Sequence, residues 1–255
     1  MELTDTHCHI YLPEFDSDRD EAVRRAFESG VSRLFLPNVD QSTSGPMLNL
    51  AGCYPDNIFP MMGLHPTSVD AGYREELEAA WALLHQHSFC GIGEIGIDLY
   101  WDKTFRAEQE DAFLTQLGWA HKLKLPVVIH VRESHQETVE IIRRSGLTGL
   151  TGIFHCFTGT LEQAREIIGL GFHLGIGGVS TFKNSTLGDV LPHINPEHIV
   201  LETDSPYLAP VPFRGKRNEP SYILNTLARA ASLYNMSPSD LAALTTATSK
   251  KIFGI

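Results

Sequence analysis

Six residues of this 255-residue chain have side chains that bind divalent cations and occupy one kind of position. They are His7, His9, Glu94, His130, His155 and Asp204, and each lies at or beside the end of a short apolar run. His7-Cys8-His9 is an H-x-H pair. Side chains of an extended segment alternate with period two, so both imidazoles face one way and can chelate one ion. Glu94 stands in the Gly-rich run GIGEIG, where little competes for space and two carboxylate oxygens can bridge two cations. His130 follows Val127-Val128-Ile129 and His155 follows Ile153-Phe154. A lone histidine there is more often a satisfied core residue than a ligand; two at equivalent places shift the balance toward ligation. Asp204 closes IVLETD, with Glu202 two residues earlier on the same face. Neighbouring carboxylates repel unless a cation is near. Asp204 is therefore read as a ligand, and Glu202 as a supporting residue or the ligand of a third, extra-metal site.

Four imidazoles and two carboxylates, with no thiolate, are too many for one tetrahedral zinc. They suit two divalent ions roughly 3.5–4 Å apart with a water between them. Zn, Mn, Fe, Co and Ni accept such mixed N/O ligands; Mg prefers oxygen and is less natural, and the sequence leaves the metal open.

Something must bring these distant positions together. Short apolar runs at residues 2–10, 33–37, 58–63, 89–96, 127–131, 152–156, 172–177 and 199–204 read as strands. Helical patterns fall at 17–30, through 48–53, and at 75–87, 104–123, 134–144, 161–170, 221–234 and 238–253. Alternation of eight strands with helices implies parallel strands and right-handed crossovers. The expected fold is α/β, a single (β/α)8 TIM-type barrel with the metal centre at the C-terminal ends of its strands. A doubly wound open sheet is the alternative. No linker or composition shift divides the chain, so residues 1–255 read as one domain.

Composition sets limits. With 42% hydrophobic and 20% charged residues the chain is not of the disordered class. A net charge of −11 argues against non-specific DNA coating and anionic membrane surfaces. Bound cations can still supply positive charge where a phosphate docks. No apolar run reaches the roughly 20 residues of a membrane span. The first residues lack a secretory pattern. Cys8, Cys53, Cys90 and Cys156 form no CxxC and read as reduced thiols, which sets a cytoplasmic expectation.

In order, THCH, GLHP, GEIGID, PVVIHVR, FHCFTG and ETDSPYLAP resemble the motifs of the TatD family of metal-dependent deoxyribonucleases, within the amidohydrolase-like barrels. The likeness runs from Asp5 to the closing helix, and the RGKRNEP segment (214–220) fits it too. It places the family's metal ligands on the same six residues. Two departures are Thr248, where the family commonly has Asn, and a Gly-rich seventh strand, FHLGIGG.

This resemblance implies metal-assisted phosphodiester hydrolysis. Glu94 would bridge two ions, His7 and His9 holding one and His130 and His155 the other. Asp204 would orient the attacking water and accept its proton. His65 is expected to contact substrate or protonate the leaving oxygen, and Arg132 to hold phosphate. Arg214, with Lys216 and Arg217, forms one basic loop cluster for phosphate. The expected substrate is nucleic acid, chiefly single-stranded or end-exposed DNA trimmed from its ends, with no membrane and no obligatory protein partner. No base-reading helix or aromatic stacking platform is evident. Two other classes compete. One is hydrolysis of an amide or carboxyl ester; many such barrels bridge their metals with a carbamylated Lys where this chain has Glu94. The other is a non-enzymatic binding module, which would not need six converging ligands.

Overall fold

The computed structural model describes residues 1–255. Strands β1 (Leu3–Asp5), β2 (Val31–Pro37) and β3 (Ile58–Met61) form one parallel set. Strands β4 (Ile92–Asp98), β5 (Val127–Arg132), β6 (Gly152–Phe154), β7 (Phe172–Ile176) and β8 (Ile199–Leu201) form another. Single parallel bridges join the sets, Met62 to Ile92 at one seam and Cys8 to Ser205 at the other. At the second seam the Thr6 N–H and hydroxyl both donate to the Leu201 carbonyl at 3.1 Å. The Asp204 N–H donates to the His7 carbonyl at 2.9 Å. The circle is therefore closed, as a (β/α)8 barrel and not an open sheet.

The helices follow in turn: α1 (Arg19–Glu28), α2 (Gln41–Cys53), α3 (Tyr73–Gln86), α4 (Arg106–Leu123), α5 (His135–Arg144), α6 (Leu161–Gly169), the short α7 (Leu187–Val190), α8 (Ile223–Tyr234) and α9 (Pro238–Phe253). No helix is long and apolar enough to cross a membrane. Helix α2 begins well before the apolar residues that announced it. The Asp40 side chain accepts from the Thr43 N–H, and Thr43 returns a bond to the Asp40 N–H, a capping box that starts the helix despite Pro46 inside it.

Two apolar layers build the barrel. The larger fills the space between strands and helices. The smaller lies inside, where Phe35, Met61, Val128, Ile153 and Val200 meet Ile252 and Phe253 of α9. Phe253 stacks on Phe35 with ring centroids 4.0 Å apart. Each such side chain contributes about 1.5–3 kcal/mol by leaving water. The last turn of α9 thus seals the inner layer, while the rest of the helix packs outside against β1 and β8.

Several strands are shorter than their apolar runs. β1 stops at Asp5 and β8 at Leu201, so His7, His9, Glu202 and Asp204 stand on the connections beyond. β4 continues to Asp98, two residues further than expected, and all seven of its residues are buried.

Candidate metal centre

The segment after β1 stays extended because its neighbours still pair with it. The Cys8 N–H donates to the Phe35 carbonyl at 3.0 Å and the His9 N–H to the Ser205 carbonyl at 2.7 Å. His7 and His9 therefore turn to one side, with their Nε2 atoms 3.1 Å apart, while Cys8 packs into the outer core. Within β4 the period-two rule sets Glu94, Gly96 and Asp98 on one face. Gly96 has φ +145°, and a Cβ there would lie 2.1 Å from the His130 carbonyl oxygen, so this crossing of β4 and β5 requires glycine.

All six expected ligands converge, and Glu94 is the hub. Its Oε2 lies 3.1 Å from His7 Nε2 and 3.4 Å from His9 Nε2. Its Oε1 lies 2.8 Å from His130 Nδ1, 2.8 Å from His155 Nε2 and 3.2 Å from His65 Nε2. Asp204 Oδ1 is 3.7 Å from both His7 Nε2 and His9 Nε2. Each oxygen of one carboxylate thus serves a different group of imidazoles.

The outer partners of the rings decide which nitrogens offer lone pairs. The Tyr11 hydroxyl donates to the Pro37 carbonyl, so it must accept the Nδ1–H of His9 at 2.9 Å, which leaves His9 Nε2 bare. His130 Nε2 lies 2.9 Å from Asp98 Oδ2, so the neutral ring carries its proton there and offers the Nδ1 lone pair. His155 turns Nδ1 toward Glu202 Oε1 at 3.5 Å and Nε2 toward Glu94. His65 is the reverse case. Its Nδ1 accepts the Thr67 N–H at 3.1 Å, so the neutral ring carries its proton on Nε2. Ring nitrogens turned on a carboxylate need a proton or a cation between them, because their lone pairs repel it. Such a donor set fits divalent cations, and His65 Nε2, beside Glu94 and His130, completes one of the groups close enough to share an ion.

The electrostatics agree. Burial raises the Glu94 pKa, but His155, His65 and His7 and the hydrogen bond from His130 outweigh it and hold the carboxyl well below its usual range. Burial lowers His130 and His155; Asp98 and Glu94 around the first, and Glu94 and Glu202 around the second, reverse this and push both up. Burial and the adjacent His155 hold His7 far down. Burial pushes Asp204 up to about 6. The site is short of fixed positive charge, which a cation would supply.

Some expectations are corrected. Glu202 and Asp204 do not share a face. The strand has ended, the Asp5 carboxylate takes the Thr203 N–H at 2.9 Å and its hydroxyl at 2.5 Å, and Asp204 turns with φ +56°. Glu202 goes behind His155, where its Oε1 accepts the Cys156 N–H at 2.6 Å, and it joins none of the three candidate metal clusters. The Gly-rich seventh strand makes room for it, since a Cβ on Gly175 would lie 2.2 Å from Glu202 Oε2. Thr248 donates to the Glu197 carbonyl at 3.4 Å, far from the centre.

The basic loop cluster also dissolves. Arg217 forms a two-pronged ion pair with Asp18, at 2.6 and 2.8 Å, and Arg25 joins Asp18 to Glu219. These tie the loop to α1, and Asn218 Nδ2 then donates to the Thr203 and Tyr207 carbonyls at 2.7 Å each. Arg214 lies over the Phe182 ring at 4.4 Å and is not among the residues lining the central cavity. That cavity, of about 450 Å³, does include His65 and Arg132 beside the expected ligands.

Residues that sequence reasoning missed are Asp98, Tyr11 and Asp5 in its fastening role. Asp98 carried a signal, because it continues the alternation from Glu94. Tyr11 carried the same signal, two residues beyond His9, but its anchor on Pro37 lies on another strand and was not legible.

A closed barrel with imidazoles gathered around one carboxylate at its C-terminal rim is the architecture of a metal-dependent hydrolase. The chain belongs to the family described as TatD related DNase, whose profile matches residues 4–254. It is 37% identical to an uncharacterized metal-dependent hydrolase, YabD, of Bacillus subtilis, over 99% of both chains. It is 36% identical to the 3'-5' ssDNA/RNA exonuclease TatD of Citrobacter koseri, again over 99% of both. The crystal structure of YjjV, a TatD homologue from Escherichia coli, superposes with a TM-score of 0.93 at 28% identity, covering 99% of this chain and 98% of that one.

Proposed function

We propose that this hydrolase uses two divalent ions to remove nucleotides from the ends of single-stranded DNA or RNA, with the 3'–5' polarity named for its Citrobacter koseri relative. The observation that carries this reading is the split of the Glu94 carboxylate. Oε2 faces His7 and His9, and Oε1 faces His130 and His155. His7, His9, Asp204 and Glu94 would hold one ion, and His130, His155 and Glu94 the other. Bound divalent ions supply Lewis acidity, polarising a phosphate oxygen and bringing the pKa of water toward neutrality.

The remaining work falls to side chains. Asp204, raised toward neutral pH by burial, is suited to take the proton of the attacking water. Arg132 lines the cavity and is placed to donate to a non-bridging phosphate oxygen. His65 presents an Nε2–H to the site and would protonate the leaving oxygen. Arg214 takes no part at the reacting phosphate. A cavity of about 450 Å³ suits a single nucleotide better than a duplex, which favours attack on ends.

The test pairs metal analysis with turnover on single-stranded DNA, RNA and an amide series. The metal-loaded protein should shorten oligonucleotides, and Glu94→Gln should lose metal together with activity. Protein with a full metal complement that ignores oligonucleotides and cleaves amides would replace this reading with the amide one.

A further inference from the structure

Nine large hydrophobic side chains are exposed, and five of them fall in two loops. These are Tyr100 and Trp101 in the loop after β4, and Tyr207, Leu208 and Val211 in the loop after β8. Trp101 is 69% exposed and Tyr207 is 47% exposed. Strands β4 and β8 lie half a turn apart in an eight-stranded barrel, so the two groups face each other across its mouth. Trp101, Tyr207 and Leu208 line the same cavity as Glu94 and His130.

The first group is fastened to the metal centre. Asp98 holds His130 through Oδ2, and its Oδ1 accepts the Tyr100 N–H at 2.9 Å and the Trp101 N–H at 3.3 Å. The Arg132 guanidinium sits 3.8 Å from the Tyr100 ring centroid and 5.1 Å from that of Trp101. Flat apolar faces thus flank one cation that is free to meet a phosphate.

Charge alone cannot hold a polyanion on this protein. The chain carries a net charge of −11, and Arg132 is the only Lys or Arg lining the cavity. Cations at the centre would serve the reacting phosphate alone, so the rest of the strand needs uncharged faces, and the rim offers aromatic ones. The geometry points to Trp101 on one side and Tyr207 with Leu208 on the other as jaws that stack the unpaired bases of a single strand beside the metal centre. The inference rests on the nucleic-acid reading above and makes Trp101 its specificity-determining residue. Bases within a duplex are already stacked and cannot enter. Every base has a π face, so the jaws do not read sequence.

The experiment uses the full-length protein in chelator, so that nothing is cleaved, with oligothymidylate and an abasic oligomer of equal length as probes. Trp101 is its own reporter. The other tryptophans, Trp81 and Trp119, are partly buried and pack together at 5.2 Å. Oligothymidylate should quench the parent's fluorescence; by anisotropy of an end-labelled oligomer, which reads parent and variants alike, Trp101→Ala should weaken binding about 10- to 100-fold while Trp101→Phe retains most of it. The abasic oligomer should bind the parent no better than oligothymidylate binds Trp101→Ala. The log–log salt slope should stay near about −0.7, the value for one phosphate contact. Equal binding by Trp101→Ala and parent, or by abasic and base-bearing strands, overturns the inference. A parallel KM measurement on the metal-loaded protein separates the two readings. Cleavage with KM unaffected by Trp101→Ala sinks the jaws alone. Trp101-dependent binding without cleavage sinks the nuclease alone.

Discussion

Asp98 allows the tautomer of a metal-facing histidine to be tested apart from charge. It is 1% exposed, and its two oxygens serve His130 on one side and the Tyr100 and Trp101 N–H groups on the other. Asparagine keeps the shape but has one acceptor and one donor. With its carbonyl toward His130, its NH2 meets two backbone donors. With the amide turned, the carbonyl accepts those two donors and the NH2 faces His130 Nε2, which moves the ring proton to Nδ1. The second arrangement satisfies every group, so the metal-free variant adopts it. The proton then points at Glu94 and occupies the lone pair that a cation needs. Asp98→Asn should therefore fold with a loss under about 1 kcal/mol yet bind metal about 10- to 100-fold more weakly, or by about 1.4–2.7 kcal/mol. Asp98→Ala breaks all three bonds as well and should lose about 3 kcal/mol of metal-free stability. Chelator competition measures the first quantity and urea unfolding of metal-free protein the second. Parent-like metal affinity in Asp98→Asn would show that the carboxylate only fastens the loop, and the tautomer argument would fail.

Three further outcomes follow from the same geometry. His65→Ala should keep its full metal content and lose about 10²- to 10⁴-fold in kcat, because the His65 proton rather than a lone pair faces the site; elemental analysis beside kinetics would detect any metal lost instead. Gly175→Ala should cost about 1–3 kcal/mol by displacing Glu202, and much of that should return in the Gly175→Ala, Glu202→Ala double variant, as a double-mutant cycle in urea would measure. The Arg217 hydrogen bonds hold the Asp18 carboxyl far below its usual value, so the folded chain binds fewer protons there than the unfolded one. That stabilisation is complete above about pH 5 and is lost progressively as acid approaches the folded value; Asp18→Asn should thus cost about 1 kcal/mol at pH 7 and steadily less as the pH falls below about 4, and a deficit independent of pH would contradict it.

The amino-acid sequence by itself determined the alternation of strands and helices and hence parallel strands, and it singled out the six residues that meet at the centre; closure into a barrel was decided by the seams that join the third strand to the fourth and the eighth to the first. The alternation and the six positions follow from local rules: period-two and period-3.6 patterns, and chemistry-bearing side chains at the ends of apolar runs. His7 and His9 turned together as the alternation required, even though their strand ends before them, because neighbouring segments keep the backbone extended. The same rule failed for Glu202 and Asp204, where Asp5, nearly two hundred residues away in sequence, clamps Thr203 and redirects the chain. Tertiary structure alone decided which nitrogen of each ring faces inward, since Tyr11, Asp98, Glu202 and Thr67 reach their rings only through the folded arrangement. It also turned Arg217 from a free cation into a strap on Asp18 and gathered exposed aromatic residues on opposite sides of one opening. Residue type and periodicity are local properties that can be read along the chain. Proton positions, ion-pair partners and the company a loop keeps depend on distances between segments, and those exist only once the barrel has closed.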